Sequence, residues 1–334
     1  MIDKSGKAPW IGFDLGGTKM LAVVLDEKFR IVGKEKKKTK FQEMQDTGVD
    51  RIVKTIRGAL EDAGTADQKL AGIGIGVPGT LDIDQGIVLE APNLGWNDVR
   101  LKERLEKEFS CPVSVVNDVD AGVYGEYSMG AAQNARCVFG IFPGTGIGGG
   151  CIYNGEILRG KTSSCMEIGH VQMEVDGPLC GCGRRGCLEA LASRLAVSSA
   201  AAAAVFRGDA PALAKLAGTD LSNIRSGSLA KSISAGDEAV ECIVKNAALW
   251  IGRASATVIN LLSPELIVLG GGMVEAMPEL FRKEVEKAAR MTVMPTYEKS
   301  FSVVTAKLGD YATALGAAAW ARHSNEQKTG GKKK

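Results

Sequence analysis

Apolar residues in this chain fall in short runs that switch repeatedly between a period of two and a period of 3.6. Ile11, Phe13 and Leu15 alternate ahead of Gly16-Gly17-Thr18, and an apolar run at 20–25 follows. That pattern predicts strand, turn and returning strand over 10–34. Val49, Ile52, Val53, Ile56 and Leu60 share one face of a helix over 45–63, with Gly64 as its stop. Residues 70–77 predict a short buried strand ended by Pro78-Gly79, 101–109 a helix and 113–116 a strand, with another helix starting at Val119. Helices are predicted over 189–206, 237–262, 278–291 and 313–322, and strands over 266–269 and 301–308. Gly and Ser punctuate 207–236, which predicts short surface helices. Everything after Ser324 reads as a disordered tail. Strands alternating with helices place the chain in the α/β class.

The first hairpin has a second copy. A displacement of 127 positions puts Gly17-Thr18 on Gly144-Thr145 and Gly33-Lys34 on Gly160-Lys161. Both copies read as a strand, a Gly/Thr turn and a returning strand of matching length, so two related lobes would each present a glycine turn to one ligand.

Length and composition narrow the class. The 334 residues suggest about two domains, and 45% hydrophobic with 24% charged residues is ordinary for a soluble globular protein. A net charge of +2 gives no global attraction to nucleic acid or to an anionic membrane. The lysines within 34–40 read as a solvated strand edge, and those at 332–334 as part of the tail. Asp3, Lys4 and Lys7 interrupt any leader peptide. The longest uncharged stretch, 137–155, is broken by Pro143 and a glycine cluster and cannot span a membrane. Eight cysteines without a secretory leader fit a reducing, cytoplasmic setting.

Three glycine turns carry candidate chemistry. Asp14-Leu15-Gly16-Gly17-Thr18-Lys19 offers backbone N–H groups, a hydroxyl and an ammonium to an anion, and Asp14 a carboxylate to a hydrated Mg²⁺. Gly144-Thr145-Gly146-Ile147-Gly148-Gly149-Gly150 spends more backbone entropy than a plain hairpin needs. Gly270-Gly271-Gly272 follows a buried strand and precedes a helix, a setting that suits a nucleotide. Together they point to nucleotide binding. Asn117-Asp118 ends a strand. By position alone Asp118 reads as a helix N-cap, with Asp120 competing, and its functional alternative is a general base with Asn117 orienting the substrate.

Glu167-Ile168-Gly169-His170 and Cys180-Gly181-Cys182-Gly183-Arg184-Arg185-Gly186-Cys187 supply one His and three Cys within a short span. His170, Cys180, Cys182 and Cys187 form a Cys3His zinc set, structural because four protein ligands leave no open position. The remaining cysteines, Cys111, Cys137, Cys151, Cys165 and Cys242, read as core thiols.

Taken together these residues resemble the ROK family of repressors, open reading frames and kinases, within the actin-like ATPase superfamily. The similarity runs over about residues 10–322, and its most specific part is Glu-x-Gly-His with Cys-Gly-Cys-x4-Cys-Leu-Glu. It implies a two-lobed actin-like ATPase (ribonuclease H-like) fold with duplicated β-hairpin/α units. The small lobe would be 1–118 plus 310–325, the large lobe 119–309 with the zinc loop, and the tail 326–334. It also implies an ATP-dependent hexose kinase acting at the sugar 6-hydroxyl, first of all a glucokinase, with Mg²⁺ accompanying ATP and a homodimeric assembly. By the same resemblance Asp14, Gly16, Gly17, Thr18 and Lys19 form the first phosphate motif, and Gly144, Thr145, Gly146 and Gly148 the second. Gly270, Gly271 and Gly272 form the adenosine motif. Asp118 corresponds to the catalytic base, and Asn117, Glu167, His170 and Glu189 to sugar-hydroxyl ligands, with Gly79 and Asn93 in the loop that lines the sugar. The resemblance thus turns Asp118 from cap to base.

Two departures bear on glucose in particular. Many family glucokinases carry an aromatic residue two positions past Glu189 and a glycine three further on, where this chain has Leu191 and Arg194. Val119 and Asp120 stand where the family often has small residues and Asn. Alternative readings are a kinase of mannose, allose, fructose, N-acetylglucosamine or N-acetylmannosamine, or a glucokinase using polyphosphate. A sugar-sensing repressor would need a helix-turn-helix ahead of Asp14, where only thirteen residues stand. An actin-like filament or chaperone ATPase would lack the zinc and sugar motifs.

Overall fold

The computed structural model describes residues 8–39, 45–161 and 165–330. The chain divides into two compact units, one of Met1–Gln133, Ile157–Cys165 and Asp310–Lys334, the other of Asn134–Glu156 and Met166–Gly309.

In the first unit the alternating residues form β1 (Trp10–Leu15), β2 (Lys19–Leu25) and β3 (Ile31–Lys38), followed by α1 (Gln45–Asp62) and β4 (Gly72–Val77). Next come β5 (Thr80–Asp82), β6 (Ile87–Ala91), β7 (Trp96–Val99), α2 (Leu101–Phe109), β8 (Val113–Asn117) and α3 (Asp118–Met129). The main sheet has the order β3-β2-β1-β4-β8, antiparallel through the hairpins and parallel from β1 to β8. β5, β6 and β7 make a separate antiparallel sheet that the sequence pattern did not foresee.

The second unit repeats the plan. Its strands are β9 (Cys137–Pro143), β10 (Ile147–Tyr153) and β11 (Glu156–Ile157). Then follow α4 (Leu188–Ala192), α5 (Arg194–Arg207), α6 (Pro211–Ala217), α7 (Ser226–Ser234), α8 (Glu238–Leu262), β12 (Leu266–Leu269), α9 (Gly272–Ala276), α10 (Pro278–Thr292) and β13 (Ser302–Thr305). The sheet order β11-β10-β9-β12-β13 matches that of the first unit, with an antiparallel hairpin and then parallel strands. The duplication read from Gly17-Thr18 and Gly144-Thr145 is therefore a duplication of sheet topology, with β3 reduced to the two-residue β11 in the second copy.

The closing helix α11 (Ala312–Gly330) returns to the first unit and packs on its sheet and on α3. Glycines set how close it lies. A Cβ on Gly12 would sit 2.1 Å from the Ala314 carbonyl oxygen, and one on Gly74 1.9 Å from that of Ala317. Any side chain there would push α11 off the sheet and carry the segment before it, Gly309–Tyr311, away from the ends of β1 and β8.

Several boundaries differ from the sequence reading. The first unit extends through Gln133 rather than stopping at Asp118, because α3 packs on α11, where a Cβ on Gly316 would lie 1.7 Å from the Ala121 carbonyl oxygen. Residues 157–165 also belong to it. The helix predicted to end at Arg322 runs to Gly330, supported past Ser324 by an Arg322–Glu326 pair at 3.0 Å. The end of the predicted tail, 331–334, and Lys40 lie outside the described residues. The helix predicted over 189–206 breaks at Ser193, whose Oγ accepts the Ala196 N–H at 3.2 Å and caps α5. Among the described residues one run, Leu188–Arg207, is apolar and long enough to cross a membrane by length and hydropathy, and this break divides it into α4 and α5.

Candidate active site and metal centre

The first unit gathers its polar chemistry at the ends of β1 and β8. Asp14 is the penultimate residue of β1, paired with Leu21 on β2 and Gly76 on β4. Asn117 closes β8, and its Oδ1 accepts the backbone N–H groups of Val119 at 2.9 Å and Asp120 at 3.2 Å. Asn117 is thus the N-cap of α3. The capping role that position alone gave to Asp118 belongs to its neighbour, and Asp120 is only 2% exposed. With its oxygen engaged, the Asn117 amide has its Nδ2–H₂ donors for a ligand. Asp118 is the first residue of α3, and the Thr313 hydroxyl donates to its backbone carbonyl at 3.1 Å.

Asp310 completes this cluster. Lys19 Nζ lies 2.6 Å from one of its carboxylate oxygens and Lys36 Nζ 3.1 Å from the other. The Lys19 ammonium, followed by the partly offsetting cost of burial and then Lys36, leaves the Asp310 carboxyl below its usual range. Asp14 moves the other way. Burial first and the Asp118 carboxylate second raise it to about 7, against the pull of Lys19 and Lys36. Gly79, at φ +100°, sits in the turn after β4, where a Cβ would meet the Glu90 carbonyl oxygen at 2.2 Å. Asn93 is exposed in the 3₁₀ turn Pro92–Leu94.

In the second unit the hairpin tip Gly144-Thr145-Gly146 closes with a Gly144 N–H to Gly146 carbonyl bond of 2.8 Å. Glu189, in the first turn of α4, accepts the Ile147 N–H through Oε2 at 3.0 Å. A Cβ on Gly146 would lie 2.2 Å from that oxygen and would displace the carboxylate from this position. Gly270-Gly271-Gly272, between β12 and α9, folds against the end of β9, with Gly271 at φ +82° and its Cβ position 2.8 Å from the Pro143 carbonyl oxygen. Two of the predicted ligand turns are therefore neighbours.

Glu167 precedes and His170 closes the 3₁₀ turn Ile168–His170, which rests on β10. A Cβ on Gly169 would lie 2.1 Å from the Ile147 carbonyl oxygen. The ligand atoms of His170, Cys180, Cys182 and Cys187 all lie within 4.8 Å of one another. Cys182 and Cys187 sulfurs are 3.7 Å apart, as are the Cys180 sulfur and His170 Nδ1. A zinc tetrahedron with bonds of about 2.3 Å would set its sulfurs about 3.7 Å apart, so this donor set fits zinc. Burial, with the neighbouring thiols, pushes Cys180 up to about 12, and a dication is what would let all three sulfurs ionise together. Glu189 Oε1 lies 3.7 Å from the Cys180 sulfur. One carboxylate thus ties the glycine hairpin to the cysteine cluster.

A sequence model described as the ROK family matches residues 10–324. The chain belongs to the ROK family. A glucokinase from Thermotoga maritima is 33% identical over 313 residues, covering 93% of this chain and 96% of that protein. A crystal structure of a ROK family glucokinase from Streptomyces griseus, in complex with glucose and AMPPNP, is 33% identical. It superposes with a TM-score of 0.82 over 95% of this chain and all of that one. A xylose repressor from Bacillus spizizenii is 31% identical over 247 residues, covering 74% of this chain and 60% of that protein. The fold is the two-lobed actin-like ATPase fold of the ROK structures.

Membership leaves some polar residues of this ROK chain to which sequence reasoning had given no site role: Asp310, Thr313, Lys36 and Arg194, the last noted only as a departure from the family pattern. Gly309-Asp310 ahead of an apolar helix was the available signal for the first. Lys36 was read only as edge protection. Its strand β3 is indeed at the sheet edge, yet Lys36 also pairs with Asp310.

The state of Asp14 makes a prediction. Its folded value near 7 stands above the ordinary 3.8, so its contribution to stability is fully present below pH 3.8. It is lost as pH rises through about 7. In the ligand-free protein, Asp14→Asn should raise the melting temperature at pH 8 by at least about 2 °C and leave it unchanged at pH 4. Thermal unfolding at the two pH values checks this, and an equal gain at both would contradict it.

Proposed function

We propose that this ROK-family sugar kinase is a glucokinase, transferring the γ-phosphate of ATP to the 6-hydroxyl of glucose with Asp118 as general base. The observation that carries the mechanism is the placement of Asp118 in the electrostatic field of Asp14 at the strand ends, while Asn117 caps the helix. Glucose as the acceptor is supported by the glucokinase relatives.

In this reading Asp118 takes the proton from the sugar 6-hydroxyl as its oxygen bonds to the γ-phosphorus and the bond to ADP breaks. Thr313 holds the Asp118 backbone from α11, and Asn117 offers Nδ2–H₂ to the sugar. Gly79 and Asn93 supply backbone and amide contacts in the same unit. In the second unit Glu167, His170 Nε2 and the remaining lone pairs of Glu189 take sugar hydroxyls, while Nδ1 of His170 serves the metal. Asp14, Gly16, Gly17, Thr18 and Lys19 meet phosphate in the first unit. Gly144, Thr145, Gly146 and Gly148 do so in the second, with Gly270, Gly271 and Gly272 beside the adenosine. Asp14 would hold the Mg²⁺ that enters with ATP, and that ion would neutralise phosphate charge. His170, Cys180, Cys182 and Cys187 would hold a zinc ion that would fix the loop, with no part in the transfer.

An ADP-release assay across glucose, mannose, allose, fructose, N-acetylglucosamine and N-acetylmannosamine tests the substrate. We expect the kcat/KM for glucose to exceed the rest by at least about tenfold, and ATP to outperform polyphosphate as donor. Preference for another sugar would reassign the acceptor. Sugar binding without any ADP release would favour the regulator reading that the xylose repressor relative raises.

A further inference from the structure

The helix α5 opens on a residue that its own electrostatics disfavour. Arg194 is the first residue of this 14-residue helix, where unpaired backbone N–H groups already make the potential positive. Among the described residues it forms no ion pair that would offset this. Both of its hydrogen bonds go instead to the tip of the second glycine hairpin. The backbone N–H donates to the Gly144 carbonyl at 2.9 Å, and guanidinium Nη2 donates to Thr145 Oγ1 at 2.9 Å.

That arrangement fixes a donor. The Thr145 hydroxyl has a single hydrogen to give, and with Arg194 bonded to its oxygen that hydrogen is directed away from the guanidinium. The guanidinium itself has five N–H donors in a fork that matches phosphate oxygens, and Thr145 takes only one. Beside them Glu189 accepts the Ile147 N–H, so the neighbouring carboxylate is already engaged with backbone. A positive charge with spare donors, seated on a hydroxyl at a glycine-rich tip, is a phosphate ligand in waiting. It is also an addition, since many family glucokinases carry glycine at this position.

We infer that Arg194 is a phosphate ligand of the donor site, which orients the Thr145 hydroxyl and sets its own charge against the terminal phosphates of the nucleotide. This rests on the phosphotransfer reading above. It predicts discrimination by phosphate number: Arg194 should matter for a triphosphate and not for a monophosphate, whose binding comes from the adenosine turn.

Calorimetric binding of AMPPNP with Mg²⁺, of AMP and of glucose to wild type, Arg194→Gly and Arg194→Lys tests it. Glycine at the first position of α5 leaves the helix start in place, because Ser193 retains the cap in all variants. For Arg194→Gly the AMPPNP dissociation constant should rise about tenfold or more, the scale of one charge-assisted hydrogen bond. AMP and glucose should stay within about twofold, and Arg194→Lys should recover part of the loss. KM for ATP should rise in step, with a smaller change in kcat. Unchanged AMPPNP affinity, an equal loss for AMP, or a loss confined to glucose would each overturn the inference while leaving a working kinase. A wild type that neither binds AMPPNP nor releases ADP would bring down the phosphotransfer reading, and this inference with it.

Discussion

Asp118→Asn should lower the turnover number by about 10² or more, the usual scale for loss of a general base. Glucose affinity should change by no more than about threefold, because Asn keeps the shape and one acceptor of the carboxylate. The fold should survive, since the cap of α3 is Asn117 and the tie from Thr313 reaches the Asp118 backbone rather than its side chain. The change also removes a carboxylate whose charge raises Asp14, so the Asp14 titration should move down from about 7. Steady-state kinetics with direct sugar-binding measurements separates the outcomes. Turnover near wild type would hand the role of base to another carboxylate. Asp120 is a poor successor, being buried with its N–H bonded to Asn117.

The freshly purified, chelator-free protein should carry one zinc per chain, and Cys182→Ser should lose most of it. The consequence reaches beyond the loop. Glu189 lies against the Cys180 sulfur with one carboxylate oxygen and holds Ile147 with the other, while His170 is both a cluster member and a proposed sugar ligand. Loss of the ion should therefore weaken glucose binding by about tenfold or more and lower the melting temperature, because metal binding to such a set is itself folding energy. Metal analysis, unfolding and sugar binding on the same preparation check this. Substantially less than one equivalent of zinc in the wild type would contradict the assignment, as would undiminished glucose affinity in a zinc-free variant.

What could be read from residue order was what depends on local period and spacing. The hairpins at Gly17-Thr18 and Gly144-Thr145, the α1 face and the His170–Cys187 set are each complete within a short window. The sheet of β5, β6 and β7 was not foreseen, since strands of three to five residues carry too little alternation to stand out. The break at Ser193 hid inside an alanine-rich run with no Gly or Pro to mark it, although Ser is a favoured cap. The cap of α3 was read at Asp118, with Asp120 competing, and only geometry shows that Asn117 serves. Asp310, Thr313 and Arg194 depend on long-range packing. The first two reach the Asp118 end of the sheet because Gly12 and Gly74 let α11 lie directly on the strands, and Arg194 reaches Thr145 only because α5 begins where the hairpin tip ends.

The central claim is phosphate transfer from ATP to glucose O6, and identifying the product tests it most directly. Wild-type protein incubated with glucose, ATP and Mg²⁺ should convert glucose to glucose 6-phosphate, one for each ADP formed, as followed by carbon and phosphorus magnetic resonance. Phosphate on a different hydroxyl would contradict the assignment of the reacting group. ADP without sugar phosphate, or glucose bound with no ADP formed, would contradict the kinase account itself.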